Sequence, residues 1–211
     1  MLLTVCFYIY MAVSAIICSI GVIIMSIFDP KGDSPLIFTK IWGMGLLRFL
    51  GIRPEVHGLE NVDPDRPYIF AANHQSAFDI FVLLAVLPPK VRFLAKKELF
   101  SIPIFGQGLR QAGSLPVDRS NRQAAMRSID QAAQAVRSGR SIIIFPEGTR
   151  STTAEMLPFK KGGFVLAIKS GQPIIPVSIS GARAILPRGW GRVHPGPIKV
   201  VFGQPIPTDA Y

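Results

Sequence analysis

Residues 68–87 read YIFAANHQSAFDIFVLLAVL, and they fall into three pieces. Tyr68 to Ala72 form an apolar run after Pro67, a length that suits a buried strand and is too short for a helix. Asn73 to Ser76 are polar. From Ala77 to Leu87 the chain is apolar again, now at helical length, and Pro88-Pro89 stops it. A buried strand that passes through a short polar loop into an apolar helix is the unit of an α/β layer protein. Active-site groups of such folds gather on that kind of loop.

The same alternation continues on both sides. Further strands are expected at 55–57, 91–95, 114–117, 141–145, 174–179 and 198–202, each short and bounded by breakers. Helices are expected at 97–111 (broken), 121–138 and 163–170, with Ser120 placed to cap the second of these and Gly139 to end it. Met126, Ile129, Ala133 and Val136 recur at helical spacing and give that helix a core face. The expected fold class is α/β, a mixed central sheet flanked by helices, over residues 53–211. No internal repeat or low-complexity run interrupts it. A closing helix is expected after the last strand, beyond Tyr211, as in a trimmed or unusually short chain.

The N-terminus has a different character. Residues 1–28 hold no charged side chain; as a helix they would extend ~42 Å, more than the ~30 Å hydrocarbon core of a bilayer. No positive region precedes the run, and it is too long for a signal peptide. Asp29 to Pro35 reads as a tight polar turn. Residues 36–50 are mostly apolar again, with Trp42 expected at headgroup level and Lys40 and Arg48 free to snorkel. Residues 1–52 are thus expected to form an N-terminal membrane-anchoring helical hairpin whose second arm lies in the interface. Cys6 and Cys18 sit inside it, too few for a disulfide framework and without metal-ligand spacing, and read as small buried hydrophobes.

The chain is 49% apolar and 17% charged, with a formal net charge of +10. Between Val86 and Ser170 stand fourteen Lys and Arg against five Asp and Glu, so the basic excess is central. Such a surface suits an anionic bilayer, a phosphorylated substrate or a polyanion. Zinc-finger spacing, a basic zipper and an aromatic-flanked RNA-binding motif are all missing, and no nucleic acid is expected as a partner.

Several chemistries lose their usual support, because the sequence has no G-x-S-x-G elbow, phosphate-binding P-loop, dinucleotide fingerprint or H-E-x-x-H. Of three histidines, His57 precedes Gly58 at an expected edge turn and His194 sits in a Gly/Pro-rich loop, both reading as surface residues. His74 stands on the strand-to-helix loop. Asp79, five residues on, is off its helical face, but the two can meet if His74 stays on the loop and Asp79 enters the first turn. Asp79 would then accept the Nδ1 hydrogen and leave Nε2 as a base toward a hydroxyl. The alternative is a capping box, Ser76-x-x-Asp79, in which Asp79 only caps the helix. A second group is Phe145-Pro146-Glu147-Gly148-Thr149-Arg150, directly after the 141–145 strand. There Gly148 permits a tight turn, and N–H groups with Arg150 can hold a phosphate. Lys160 and Lys161 open the next helix, and Arg119 ends the 114–117 strand. Together these form a cationic rim suited to a phosphomonoester.

At these residues the chain resembles the glycerolipid acyltransferase family. NHQSAFD (73–79) is similar to the family's first motif, GSLPVDR (113–119) to its second, FPEGTR (145–150) to its third, and IIPVSI (174–179) to its fourth. The second motif departs from the family, with Leu115-Pro116-Val117 where an aromatic and Ile are common. The N-terminal hairpin also resembles the membrane anchor of such enzymes. The resemblance implies transfer of an acyl chain to the sn-2 hydroxyl of 1-acyl-sn-glycerol 3-phosphate, giving phosphatidic acid. His74 would be the general base and Asp79 its orienting partner, with Arg119, Glu147, Gly148, Thr149, Arg150, Lys160 and Lys161 around the glycerol phosphate. It implies a co-substrate thioester of coenzyme A or acyl carrier protein, and no metal or cofactor. It further implies membrane lipids as partners and a catalytic domain on the cytoplasmic side of a bacterial inner membrane. Rival expectations are glycerol 3-phosphate or another lysophospholipid as acceptor, a non-catalytic module binding anionic membranes, and a lipid hydrolase with Ser76 as nucleophile.

Overall fold

The computed structural model describes all residues except 31, 32, 119, 154, 190 and 209–211. Among the described residues, seven strands form one sheet: β1 (Glu55–His57), β2 (Ile69–Ala72), β3 (Val91–Lys96), β4 (Leu115–Val117), β5 (Ser141–Ile144), β6 (Ile174–Ser180) and β7 (Lys199–Phe202). Their order is β1-β7-β6-β2-β5-β3-β4. The five strands from β6 to β4 are mutually parallel, β7 runs antiparallel to β6, and β1 is parallel to β7. The sheet is therefore mixed, and helices cover both its faces, as the alternation of short runs implied.

Pleating sends alternate residues to opposite sides. Phe70 and Ala72 of β2, Ile143 of β5 and Val177 of β6 enter one core, with α2 (Leu36–Phe49) and α3 (Phe78–Val86). Ile69, Ile142 and Ile144 enter the other, with α5 (Arg122–Arg137) and α6 (Gly162–Ser170). Burial on both faces explains why these strands read as continuous apolar runs. A short α4 (Phe105–Gln111) follows a 3-10 turn at Lys97–Ser101, which is the break expected in the 97–111 helix. A further turn of helix, α7 (Ala182–Ile185), was not visible in the sequence pattern.

The crossovers place the site. β2 feeds α3 on the first face, while its neighbour β5 feeds α6 on the second. Adjacent parallel strands whose chains leave to opposite faces open a crevice beyond their carboxyl ends. The loops carrying His74 and Phe145–Arg150 both lie there.

The N-terminal hairpin is present as α1 (Leu2–Phe28) and α2. α1 is long and apolar enough to cross a bilayer, and Ile9, Ile17, Ile24 and Phe28 lie on its exposed side. It is also tied to the rest of the chain. Phe7 is fully buried beside Phe78 of α3, a burial worth about 1.5–3 kcal/mol. Gly43 lets α2 close on α3, because a Cβ there would stand 2.7 Å from the Phe81 carbonyl oxygen.

Three expectations for this region need correction. Trp42 faces inward, its Nε1 donating to Ser14 Oγ at 3.1 Å and its ring packing on Phe81 and Phe105. Lys40 donates to the Leu87 carbonyl at the end of α3 rather than reaching outward. Cys6 is exposed, and Cys18 alone is half-buried. In α5, Asn121 rather than Ser120 is the cap, its Oδ1 accepting from Ala124 N at 2.8 Å. The expected core face also loses Met126, which is 37% exposed, while Ala132 supplies the buried contact.

Candidate active site

His74 leaves β2 one residue after Asn73, whose amide bonds both the carbonyl (3.0 Å) and the N–H (2.7 Å) of Ile179 in β6. That pairing ties the 73–79 stretch to the 174–179 stretch and fixes where the loop begins. Asp79 lies in the first turn of α3, fully buried. Its Oδ2 accepts from His74 Nδ1 at 2.9 Å, from Gln75 N at 2.8 Å and from Ser76 N at 2.8 Å. Three donors and the positive end of the α3 dipole compensate the buried charge. Both sequence readings of Asp79 therefore hold together: one oxygen caps the helix entry and orients the imidazole.

A carboxylate only accepts, so Nδ1 is the donor, and in the neutral imidazole Nε2 keeps its lone pair. The His74 side chain is 14% exposed, and its ring stacks on Phe145 with centroids 3.9 Å apart and planes 18° apart. Two more bonds join the loops: His74 N donates to Glu147 Oε1 at 2.7 Å, and Ser151 N donates to the His74 carbonyl at 2.9 Å. The strand-end loops of β2 and β5 thus brace the His74 imidazole.

Ser76 is excluded as a nucleophile by its bonds. It is fully buried, its Oγ donates to the Leu186 carbonyl at 2.6 Å, and it accepts from Phe78 N at 3.0 Å. His57 and His194 are exposed and far from this loop in role: His57 meets Glu55 on edge strand β1, and His194 lies in the 186–198 segment.

A cavity of about 900 Å³ contains His74 in its wall. Gly148, Thr149, Arg150 and Lys160 line it. Gly148 has φ +72, and the Lys160 stem lies close over it, 2.9 Å from where a Cβ would be. Two expected residues stand elsewhere. Glu147 is 1% exposed and outside the lining, with Oε1 on His74 N and Oε2 on Leu157 N at 2.8 Å, so it braces the loops instead of touching a ligand. Lys161 is the exposed N-cap of α6 and also lies outside the lining. Arg119 falls outside the described residues. Its neighbour Asp118 bonds Lys97 Nζ at 2.9 Å, and Lys97 together with the Ser120 N–H holds the Asp118 carboxyl down at about 2.

The sequence reading missed Arg188. It lines the cavity, and its Nη1 donates to the Arg150 carbonyl at 3.1 Å. A single Arg in a Gly/Pro-rich loop carries no periodic signal, so only the tertiary fold recruits it. Lys96 and Arg122 line the cavity too, and no Asp or Glu does among the described residues. The remaining wall is apolar, contributed by Cys18, Val22, Trp42, Ile80, Phe93 and Leu109 among others. Such a site offers a base, a cationic patch and an apolar chamber within one enclosure.

Comparison with known proteins shows the chain's family. A family profile described as acyltransferase matches residues 53–180. The chain is 40% identical over 163 residues to a 1-acyl-sn-glycerol-3-phosphate acyltransferase of Saccharomyces cerevisiae, covering 76% of this chain and 54% of that protein. It is 34% identical over 160 residues to the enzyme of that name from Pseudomonas aeruginosa, covering 75% of this chain and 61% of that one. The chain spans about half the length of the curated relatives it matches. Among solved structures, the crystal structure of the 1-acyl-sn-glycerophosphate acyltransferase PlsC from Thermotoga maritima superposes with a TM-score of 0.87 at 31% identity, covering 100% of this chain and 86% of that chain.

Proposed function

The chain belongs to the acyltransferase family, and from that premise we propose that it moves an acyl chain from a thioester to the sn-2 hydroxyl of 1-acyl-sn-glycerol 3-phosphate, giving phosphatidic acid. The observation that carries this reading is the His74 imidazole, held by Asp79 through Nδ1 in the wall of a cavity lined by both cationic and apolar residues. The acceptor's hydroxyl gives its proton to Nε2 as its oxygen attacks the thioester carbonyl. The tetrahedral oxyanion collapses, the C–S bond breaks, and the departing thiolate recovers the proton from the His74 imidazolium. The substrate alcohol fills the role of a nucleophilic serine, and no acyl-enzyme forms.

Arg150, Lys160 and Arg188 are the groups we assign to the acceptor's phosphate, supported by their shared place in the wall with His74 and by the absence of carboxylates there among the described residues. A guanidinium fork suits a phosphomonoester dianion. Arg119 belongs to the same proposal on the sequence motif alone. The donor is an acyl thioester of coenzyme A or acyl carrier protein, and the reaction is written without a metal or cofactor. Membrane association, at the cytoplasmic face of a bacterial inner membrane, is supported by the exposed apolar side of α1 and the likeness to bacterial relatives. There residues 1–52 act as the anchor and 53–211 as the acyltransferase domain.

The test is an acceptor panel with oleoyl-coenzyme A and purified protein in detergent. Phosphatidic acid from lysophosphatidic acid, with much slower turnover of glycerol 3-phosphate and of lysophosphatidylcholine, is expected. Preference for either rival acceptor overturns the assignment.

A further inference from the structure

We propose that the arm of the cavity walled by α5 and the start of α6 seats the phosphopantetheine of the acyl donor, with Arg122 as the contact for its phosphate; this rests on the acyl-transfer reading above.

One cavity must admit two substrates, and its wall divides by charge. Every residue that α1, α2, α3 and α4 contribute is neutral. α5 contributes Arg122, Ala125, Ser128 and Ile129, which follow one another along one face of the helix. The two parts belong to helices on opposite faces of the sheet. On the first face the outer surface of α1 and α2 is mostly apolar, with Ile17, Ile24 and Ile41 exposed and Arg48 at the end of α2, and suits lipid. On the second, α5 exposes Arg122, Arg127 and Arg137, and its one carboxylate, Asp130, is bonded to Lys169.

The acceptor is a lipid, whereas the donor's carrier is a water-borne anion, so the two approach by different faces. Phosphopantetheine is the group that coenzyme A and acyl carrier protein share. It runs from a phosphate through a neutral amide chain to the sulfur that bears the acyl group. The α5 face repeats that order: a guanidinium at the rim, then neutral Ala125, Ser128 and Ile129, with His74 in the same enclosure. Arg122 is exposed, which suits a group met first on entry.

The experiment is steady-state acyl transfer by the full chain and by Arg122→Glu, varying donor and acceptor separately. The KM for oleoyl-coenzyme A should rise about tenfold or more, while the KM for lysophosphatidic acid stays within about twofold. If oleoyl-acyl carrier protein also serves as donor, its KM should rise in Arg122→Glu as well, because it presents the same phosphate, and an unchanged KM for it overturns the proposal. S-oleoylpantetheine, which lacks the phosphate, should be used no worse by the variant than by the parent. A rise in the lysophosphatidic acid KM instead, or no change in either, overturns the proposal. If the parent makes no product, the acyl-transfer reading itself has failed, and calorimetry with coenzyme A decides the site. Binding lost in Arg122→Glu then upholds an anion site at α5, and equal or undetectable binding to both proteins overturns it.

Discussion

The His74 loop and the cationic residues that share its cavity are built on opposite terms. In the first, protein bonds fix the side chains: Asp79 gathers three donors on Oδ2 while its buried Oδ1 has none among the described residues, Glu147 gives an oxygen to each of two backbone N–H groups, and Asn73 is bonded twice to β6. In the second, Arg150, Lys160 and Arg188 share a wall that no carboxylate of the described residues enters. The first region is organised before substrate arrives, which is what a base needs, since reorientation during reaction would add to the barrier. The second is left electrostatically incomplete, which is what an anion site needs, since a protein counter-charge would compete with the ligand. The difference separates the kinetic constants: damage to the first should fall on kcat, and damage to the second on KM.

The largest effect is expected from Asp79→Asn. An amide at that position can present its NH2 to Nδ1 and reverse the tautomer, so kcat should fall by about 10³-fold or more. The KM for lysophosphatidic acid should stay within about threefold. A fall in affinity with intact kcat would break the distinction between the two regions. Next comes Arg150→Ala, for which the KM for lysophosphatidic acid should rise about 10- to 100-fold and lose part of its salt dependence. Lys161→Ala sharpens the contrast, because Lys161 lies outside the cavity wall and its loss should change KM by no more than about twofold.

The smallest effect concerns Asp118, the sequence neighbour of Arg119. Asp118 has a folded-state pKa near 2 against an ordinary 3.8, so it favours the folded state above the higher value. That contribution is lost as pH falls from about 4 through 2. Asp118→Asn should therefore narrow its Tm deficit relative to the parent across that window. An unchanged difference between the two proteins from pH 6 to pH 2 would show that the Lys97 pair contributes nothing to folding.

The strand–loop–helix unit at 68–87 was legible because its pieces differ in length and polarity, and all seven strands appeared within a residue or two of their apolar runs. The encounter of His74 with Asp79 was legible as a possibility of spacing, and the fold realises it. Roles that depend on which way a side chain faces were not legible. Glu147 sits between a proline and a tight turn, and nothing local says that it turns inward to brace the loops. Trp42 looked like a headgroup anchor because its neighbours are apolar, yet packing against Phe81 and Phe105 turns it into the cavity wall. Arg188 reaches the site only because the 186–188 segment is held to Ser76 and Arg150 by long-range bonds.

The measurement that tests the central claim most directly is acyl transfer from oleoyl-coenzyme A to lysophosphatidic acid by the parent and by His74→Ala, each shown to be folded by its thermal unfolding. The account requires phosphatidic acid from the parent and a loss of about 10³-fold or more in the variant. A folded His74→Ala protein that keeps full activity would contradict it.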